Sequence, residues 1–345
     1  MRLFLLQTRI FSCKYMVLLK KEKGAAGVMY YHVGKNMTDA QADRLIGSFV
    51  TPKQIDLILD HDANVYDASG GLLLLFRKSR LPAKNTGAFY DSTIRYVMSQ
   101  NSSNRSYASG HNNTRKRTGH GKHMGARSRS HLNIAHNPRV NSNIIGFFDK
   151  IPIFYSHMLK MRGVVPKYQV RETAFNIQFP DQYKRTVPLI RDINRLYRSL
   201  VPAKYAAQAK KAAQIPVNLK IAGTVFTTAT INVNYQTGIH KDKGDDVAGF
   251  GNLAVIERGK YTGGETCFPQ YGVGVDVRTG DILFMNVHEY HGNLPMKMLT
   301  ADARRLSIVC YLREKIWSAA HGVSAGAIER HLASLRAVIK KGTKE

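Results

Sequence analysis

Cysteine is scarce in this chain: there are three in 345 residues, and Cys13, Cys267 and Cys310 form no C-x-x-C pair. That argues against a disulfide scaffold and for a reducing intracellular compartment, the nucleus of a eukaryote or otherwise the cytoplasm of the cell or infected host. Long apolar runs are missing too. None approaches the roughly 18 residues that a membrane span needs, and the longest, Gly70–Phe76, reads as a buried strand. Acidic residues are few, 24 against 51 Lys and Arg, so the formal net charge is +27. A chain this positive is drawn to polyanions, and neutralising phosphates releases their counterions, so nucleic acid rather than an anionic membrane is the expected partner.

The acid deficit is uneven. From Ser92 to Phe148 there is no acidic residue at all, and the stretch 101–139 is rich in Ser, Gly, His and Asn, with R-K-R at 115–117 and R-S-R at 127–129. Such a composition buries too little apolar surface to offset its ordering entropy, which predicts a mobile basic insert over about 100–140. If Arg115, Lys116, Arg117, Arg127 and Arg129 touch phosphates, this insert is the electrostatic footprint. Its histidines are irregularly spaced and joined by no cysteine, which speaks against a metal tract. Residues 1–37 read as a basic extension, and 38–345 as a single domain.

Within that domain, 38–60 suggests two short helices, the second opened by Thr51-Pro52, a capping residue followed by proline at the first helical position. Leu189, Ile190, Ile193, Leu196, Tyr197 and Leu200 recur at helical spacing, and 203–213 reads as another helix. Strand-like segments follow at Val225–Val233, Leu253–Glu257, Gly274–Val277, Ile282–Asn286 and Leu306–Leu312, separated by Gly-rich turns. That pattern predicts an α+β fold, a double-stranded β-helix of jelly-roll type over about 218–315, braced by the helices before it. An amphipathic helix over about 324–341, with Ile328, Leu332, Leu335 and Ile339, should pack back on the domain.

Three motifs carry chemistry. N-Y-Q-T-G-I-H-K-D-K-G-D-D begins at Asn234, G-D-I-L-F-M-N-V-H-E-Y-H-G-N at Gly280, and A-R-R-L-S-I-V-C-Y-L-R at Ala303. Residues two apart in an extended chain project from one face, so His240 and Asp242 can bind one ion. One further His completes a two-His, one-carboxylate facial site that leaves positions open for oxygen and a cosubstrate. His291 is the choice, because Gly292 follows it and Arg305 then falls fourteen residues downstream (305 minus 291), a distance suited to an antiparallel return. His288, three residues earlier, is its rival. Taken singly, an H-x-D is common and a His beside Gly is more often a turn residue. Jointly, order, spacing and strand context agree, and Gly263-Gly264-Glu265-Thr266 fits a hairpin feeding the same sheet. An Arg-x-Ser such as Arg305 and Ser307 is suited to gripping a carboxylate.

With these motifs, together with N-S-N-I-I-G-F-F-D-K at 141–150, R-E-T-A-F at 171–175 and the helical segment Val187–Tyr205, the chain resembles the TET/JBP family of iron(II)/2-oxoglutarate oxygenases, over roughly Tyr66 to Arg313. The resemblance implies a dioxygenase that uses Fe(II), 2-oxoglutarate and O2 to hydroxylate the 5-methyl group of 5-methylcytosine or thymine in DNA, on a flipped base. It implies His240, Asp242 and His291 as iron ligands, and Arg305 and Ser307 on the distal carboxylate of 2-oxoglutarate. Arg171 and Thr266 fall near the cosubstrate, Tyr311 stacks on the extruded base, Asp245 contacts the pyrimidine edge, and Arg313 holds a phosphate. The cysteine-rich zinc-holding region of the animal members is absent, so this is a compact form, expected to act as a monomer on double-stranded DNA. The alternative is an oxygenase of the same barrel acting on a protein side chain or small molecule.

Overall fold

The computed structural model describes residues 11–12, 17–100, 105–109, 140–161, 163 and 165–342. Most of the expected basic insert, and all five of its named cations, lie outside them.

Strict alternation along one strand explains the architecture. In Arg304–Tyr311, the side chains of Leu306, Ile308 and Cys310 are buried in one cluster with Ile190, Ile193 and Tyr197 of the helix Pro180–Leu200. With a period of two, Arg305, Ser307, Val309 and Tyr311 must take the opposite face. The neighbouring strand Thr228–Val233 obeys the same rule. Ala229, Ile231 and Val233 join the helix-side cluster, and Asn232, Thr230 and Thr228 stand opposite Ser307, Val309 and Tyr311 in the register. One face of this strand pair is thus apolar and covered by helices; the other is polar and looks into the barrel.

The barrel is a jelly roll. Thr228–Val233, Arg304–Tyr311, Gly251–Arg258 and Ile282–Met285 lie side by side, each pair antiparallel, within an 11-stranded sheet. Facing it is a smaller sheet in which His240 bridges His291, Gly292–Asn293 pairs with Thr266–Phe268, and the latter pairs with Val273–Val275. Successive segments alternate between the sheets, so the chain returns repeatedly to the space between them. The expected α+β jelly-roll class is therefore the one observed.

The helical brace comes from Ala83–Ser99 and Pro180–Leu200, whose Phe89, Val97, Leu189 and Ile193 pack on the outer face of the large sheet. Pro180 opens the longer helix at its first turn, where a missing N–H costs nothing. Pro188 lies inside that helix on its exposed side, so water can satisfy the carbonyl it leaves unbonded. The C-terminal helix spans Ala325–Gly342, close to the expected range. It buries Ile328 and Leu332 in the main cluster, and Leu335 and Val338 against Ile151 and Leu159. Among the described residues no helix is long and apolar enough to cross a membrane.

Two expectations fail. The basic extension expected at 1–37 does not stay outside the domain: Val17–Lys23 and Met29–Gly34 continue the large sheet, the latter pairing parallel with Ala63–Asp67. Tyr31 and Val33 are buried there, so hydrophobic burial outweighs the local charge of the lysines at 20, 21 and 23. The second short helix expected in 38–60 is one 3-10 turn, Pro52–Gln54, after which Leu57–Leu59 pairs parallel with Val273–Val275. The capping signal is read correctly at the turn. Pairing with the small sheet then overrides further helix, as a run of Leu-Ile-Leu permits.

Candidate active site

The segment around His240 is extended because it is paired on both edges. His240 N–H donates to the His291 carbonyl at 2.9 Å and the His240 carbonyl accepts the His291 N–H at 3.0 Å, while Ile239 N–H reaches the Ser48 carbonyl at 2.7 Å and Asp242 N–H the Val287 carbonyl at 2.9 Å. His240 and Asp242 consequently share a face with His291. The ligand atoms of the three side chains lie within 4.8 Å of one another, and among the described residues no other group of His, Cys, Asp and Glu gathers in this way. His240 Nε2 is 3.5 Å and His291 Nε2 3.8 Å from the Asp242 carboxylate.

Each imidazole is oriented from behind. His240 Nδ1–H donates to the Gly238 carbonyl at 2.7 Å, and His291 Nδ1–H to the Glu289 carbonyl at 2.9 Å. A ring that spends Nδ1–H on the backbone presents the Nε2 lone pair at its other end, which is what a metal needs. Burial, aided by the nearby His240, depresses the His291 pKa to about 4, so the ligating neutral form prevails at neutral pH. His288 does not join them. Its Nδ1–H donates to the Asp242 backbone carbonyl at 3.0 Å, which makes it a support of the ligand strand.

At one end of the barrel Arg305 is 3% exposed, and its Nη2 is buried without an acceptor. Burial lowers its pKa, and the neighbouring Tyr261 opposes that shift. A buried cation with an unsatisfied donor is costly unless an anion completes it, so this pocket fits a carboxylate. Asn234, at φ 48°, turns the chain out of its strand and accepts the Arg305 N–H at 2.7 Å. Gly264, at φ +82°, leaves the necessary room: a Cβ there would stand 3.2 Å from Arg305 Cδ. Ser307 Oγ accepts from Asn232 Nδ2 at 3.5 Å, so its own proton is available to a ligand. Thr266 accepts from Asn293 Nδ2 at 3.2 Å, and Asn293 in turn accepts from Thr237 Oγ1 at 2.5 Å. This Thr237–Asn293–Thr266 chain ties the His240 segment to the Arg305 end.

Arg171 is not there. Its strand, Arg171–Glu172, pairs with Phe147–Phe148, beyond the Gly146–Thr228–Tyr311 rung, whereas Arg305 adjoins the Val233–Leu306 rung. The two rungs are separated by about five residues, roughly 17 Å at the usual strand rise. Arg171 instead donates to the carbonyls of Lys150 at 2.7 Å and Glu172 at 2.9 Å. The register of the outer strands, not visible in the motif, rules it out as a cosubstrate ligand.

Tyr311, Asp245 and Arg313 do gather at that other end. Tyr311 is 9% exposed, with its hydroxyl 3.2 Å from Thr230 Oγ1. Asp245 bridges Arg313 through the backbone, and burial, reinforced by the Asp242 charge, pushes its carboxyl well above the usual carboxylate range. Arg313 departs from expectation. Its Nε donates to Asp149 and its guanidinium lies 4.2 Å from the Phe148 ring centroid, so the cation already has an internal partner. At the Arg305 end, Asn232 and Tyr261 lie outside the three motifs, and Asn234 and Asn293 stand at motif ends with no role assigned there; strand pairing and backbone bonds bring all four to the site.

Residues 161–314 match the Tet_JBP family model, the oxygenase domain of the 2OGFeDO superfamily. The thymine dioxygenase JBP1 of Trypanosoma brucei brucei is 31% identical over 175 residues, 50% of this chain and 19% of that protein. The bifunctional helicase and thymine dioxygenase JBP2 of Leishmania tarentolae is 34% identical over 152 residues, 44% of this chain and 14% of that protein. The present chain thus spans about a fifth or less of the curated relatives it matches. Among solved structures, NgTET1 in complex with 5mC DNA aligns with a TM-score of 0.47 and 13% identity, covering 86% of this chain and 99% of that one. The segment that matches this family model contains His240, Asp242, His291, Arg305 and Ser307.

Proposed function

We propose that this chain is an Fe(II)/2-oxoglutarate-dependent dioxygenase that hydroxylates the 5-methyl group of thymine or 5-methylcytosine in DNA, on a nucleotide turned out of the duplex. The observation that carries this reading is the triad of His240, Asp242 and His291, with Nε2 atoms and carboxylate within 4.8 Å, inside a domain matched to the Tet_JBP model. Relatives that are about one-third identical and named thymine dioxygenases support the substrate class. With iron and 2-oxoglutarate bound, one atom of O2 goes to the methyl group and the other to the cosubstrate, which leaves as succinate and carbon dioxide.

The protein's own residues bind, orient and exclude. His240, Asp242 and His291 would hold the metal, their Nδ1–H bonds fixing ring tautomer and direction. Arg305 would grip the distal carboxylate of the cosubstrate, with Ser307 donating beside it, which satisfies the orphaned Nη2. Tyr311 would meet the face of the base and Asp245 its hydrogen-bonding edge. A carboxyl there can accept from the cytosine amino group or from the thymine ring N–H, which suits either pyrimidine. A base stacked in a duplex cannot reach a metal between two sheets, so extrusion at a few kcal/mol is required. Double-stranded DNA and a monomeric enzyme belong to this reading, and the +27 charge favours a polyanion. The test is turnover of 2-oxoglutarate in the presence of oligonucleotides or of peptides: stimulation by DNA alone supports the reading, and stimulation by peptides alone contradicts it.

A further inference from the structure

Strand register sets an acid directly opposite the buried Arg305. In the pairing of Gly251–Arg258 with Arg304–Tyr311, the partner of Arg305 is Glu257. Leu253 and Val255 of that strand are buried with Phe268 and Val273 of the small sheet, whereas Ala254 and Ile256 join the helix-side cluster. Period two therefore turns Glu257 to the same barrel face as Arg305. Directly opposed residues have Cβ atoms about 4.5–5.5 Å apart, a spacing at which glutamate and arginine readily pair. These two do not: Nη2 of Arg305 is buried without an acceptor, and Glu257 forms its ion pair with Arg278.

Both carboxylate oxygens of Glu257 are held away from Arg305. Oε1 accepts Arg278 Nη1 at 3.0 Å, and Oε2 accepts the Thr279 N–H at 2.8 Å and the Thr279 hydroxyl at 3.2 Å. Arg278 is itself fixed. Its Nε donates to Asp276, its backbone N–H donates to Asp281 Oδ2 at 3.0 Å, and its guanidinium lies 4.8 Å from the Tyr261 ring centroid. Burial disfavours charge on Glu257, yet the Thr279 and Arg278 bonds outweigh it and hold the carboxyl below its ordinary pKa, so it is anionic at neutral pH.

We infer that Arg278 is a positioning residue for cosubstrate binding: by holding Glu257 it keeps an internal carboxylate off Arg305, and so leaves that guanidinium open to the distal carboxylate of 2-oxoglutarate. The inference rests on the proposed function, which makes Arg305 the partner of the cosubstrate. An anion released beside Arg305 opposes the cosubstrate twice, by occupying the donor it needs and by repelling its charge. Thr279 serves only Oε2, so without Arg278 the other oxygen is left for Arg305. A cation that instead touched the cosubstrate itself would give the opposite result when Glu257 is neutralised in its absence.

The test is a calorimetric titration of the iron(II)-loaded full chain with 2-oxoglutarate in the absence of oxygen. Arg278→Gln should raise the Kd about tenfold, the scale of one charge-assisted hydrogen bond. Glu257→Gln should bind as tightly as the unmodified protein or tighter, and the double variant Arg278→Gln/Glu257→Gln should recover most of the lost affinity. A merely structural arginine would show no such rescue. The Glu257→Gln arm does not depend on the arginine variant folding. The inference is overturned if Arg278→Gln binds as the unmodified protein does, if the double variant binds no more tightly than Arg278→Gln, or if Glu257→Gln alone weakens binding. Failure of the unmodified protein to bind 2-oxoglutarate overturns the functional reading itself, and this inference with it.

Discussion

His240 and His291 exchange both backbone hydrogen bonds, at 2.9 and 3.0 Å, and so face each other across the small sheet with ring centroids 4.4 Å apart. The pairing brings together two candidate ligands 51 residues apart (291 minus 240) by main-chain geometry alone, and leaves the side chains to be aimed by their Nδ1–H bonds. Asp242 follows from period two. Removal of any of the three ligands should therefore empty the site without unfolding the sheet. In His240→Ala, Asp242→Ala and His291→Ala we expect loss of stoichiometric Fe(II) binding in calorimetry, with an unchanged far-ultraviolet spectrum. His288→Ala should keep one metal per chain, weakened by no more than about tenfold, because His288 supports only a backbone carbonyl. A variant of His288 that binds no metal would reverse the assignment.

The buried Arg305 gives a sharper discrimination. Arg305→Lys retains charge but loses the planar fork, and should weaken 2-oxoglutarate binding by about tenfold to a hundredfold, the scale of one lost charge-assisted hydrogen bond. Among the described residues Arg304 donates to the carbonyls of Ala301 and Ala303, so Arg304→Lys should leave the cosubstrate Kd unaltered. Equal effects in titrations of the two variants would contradict the strand face assigned to Arg305.

Tyr311 carries two separable contributions. Tyr311→Phe removes the 3.2 Å contact with Thr230 and should cost about 0.5–1.5 kcal/mol of folding stability, with substrate affinity nearly retained. Tyr311→Ala also removes the ring, and should lose about 1–3 kcal/mol of binding to a duplex containing the target base. Undiminished affinity in Tyr311→Ala, measured by anisotropy, would take the ring out of the substrate site.

The C-terminal helix supplies a pH-dependent element. His331 is buried, its Nε2–H donates to the Val170 carbonyl at 2.8 Å, and burial lowers its pKa. With the folded pKa below the unfolded one, the unfolded chain binds the extra proton first. Stability is then unaffected above about pH 6.5, the unfolded value, and declines as pH falls below it toward the folded value. In His331→Gln, part of that decline between pH 6.5 and 5 should vanish from urea melts. A denaturation profile with the same slope in both proteins would exclude His331 as the cause.

Much of the barrel is legible in the sequence because its strands alternate cleanly and its turns carry glycine. Leu306, Ile308 and Cys310 against Arg305, Ser307 and Tyr311 is a period-two pattern readable without coordinates. His-x-Asp is legible for the same reason. What escaped depends on pairing between distant segments. Arg171 resembles a site residue by motif, yet the Phe148 register carries it beyond the Thr228 rung, more than five rungs from Arg305. Arg313 looks free until Asp149 and Phe148 are brought beside it. The strand Met29–Gly34 was hidden by the basic residues before it, and its burial becomes apparent only when Ala63–Asp67 lies alongside. Asn232 lies outside the motifs and Asn293 only closes one, since an asparagine in a strand acquires its role from what faces it.

The central claim is that the triad directs oxidation onto a pyrimidine methyl group in DNA. Nucleoside mass spectrometry tests it most directly: the protein is incubated with iron(II) and 2-oxoglutarate on duplexes containing thymine or 5-methylcytosine, with Asp242→Ala as control. The account predicts a hydroxymethyl nucleoside from at least one duplex, formed with stoichiometric succinate and absent from the control. Succinate formed at the same rate with and without DNA, and no hydroxymethyl nucleoside from either duplex, would contradict it.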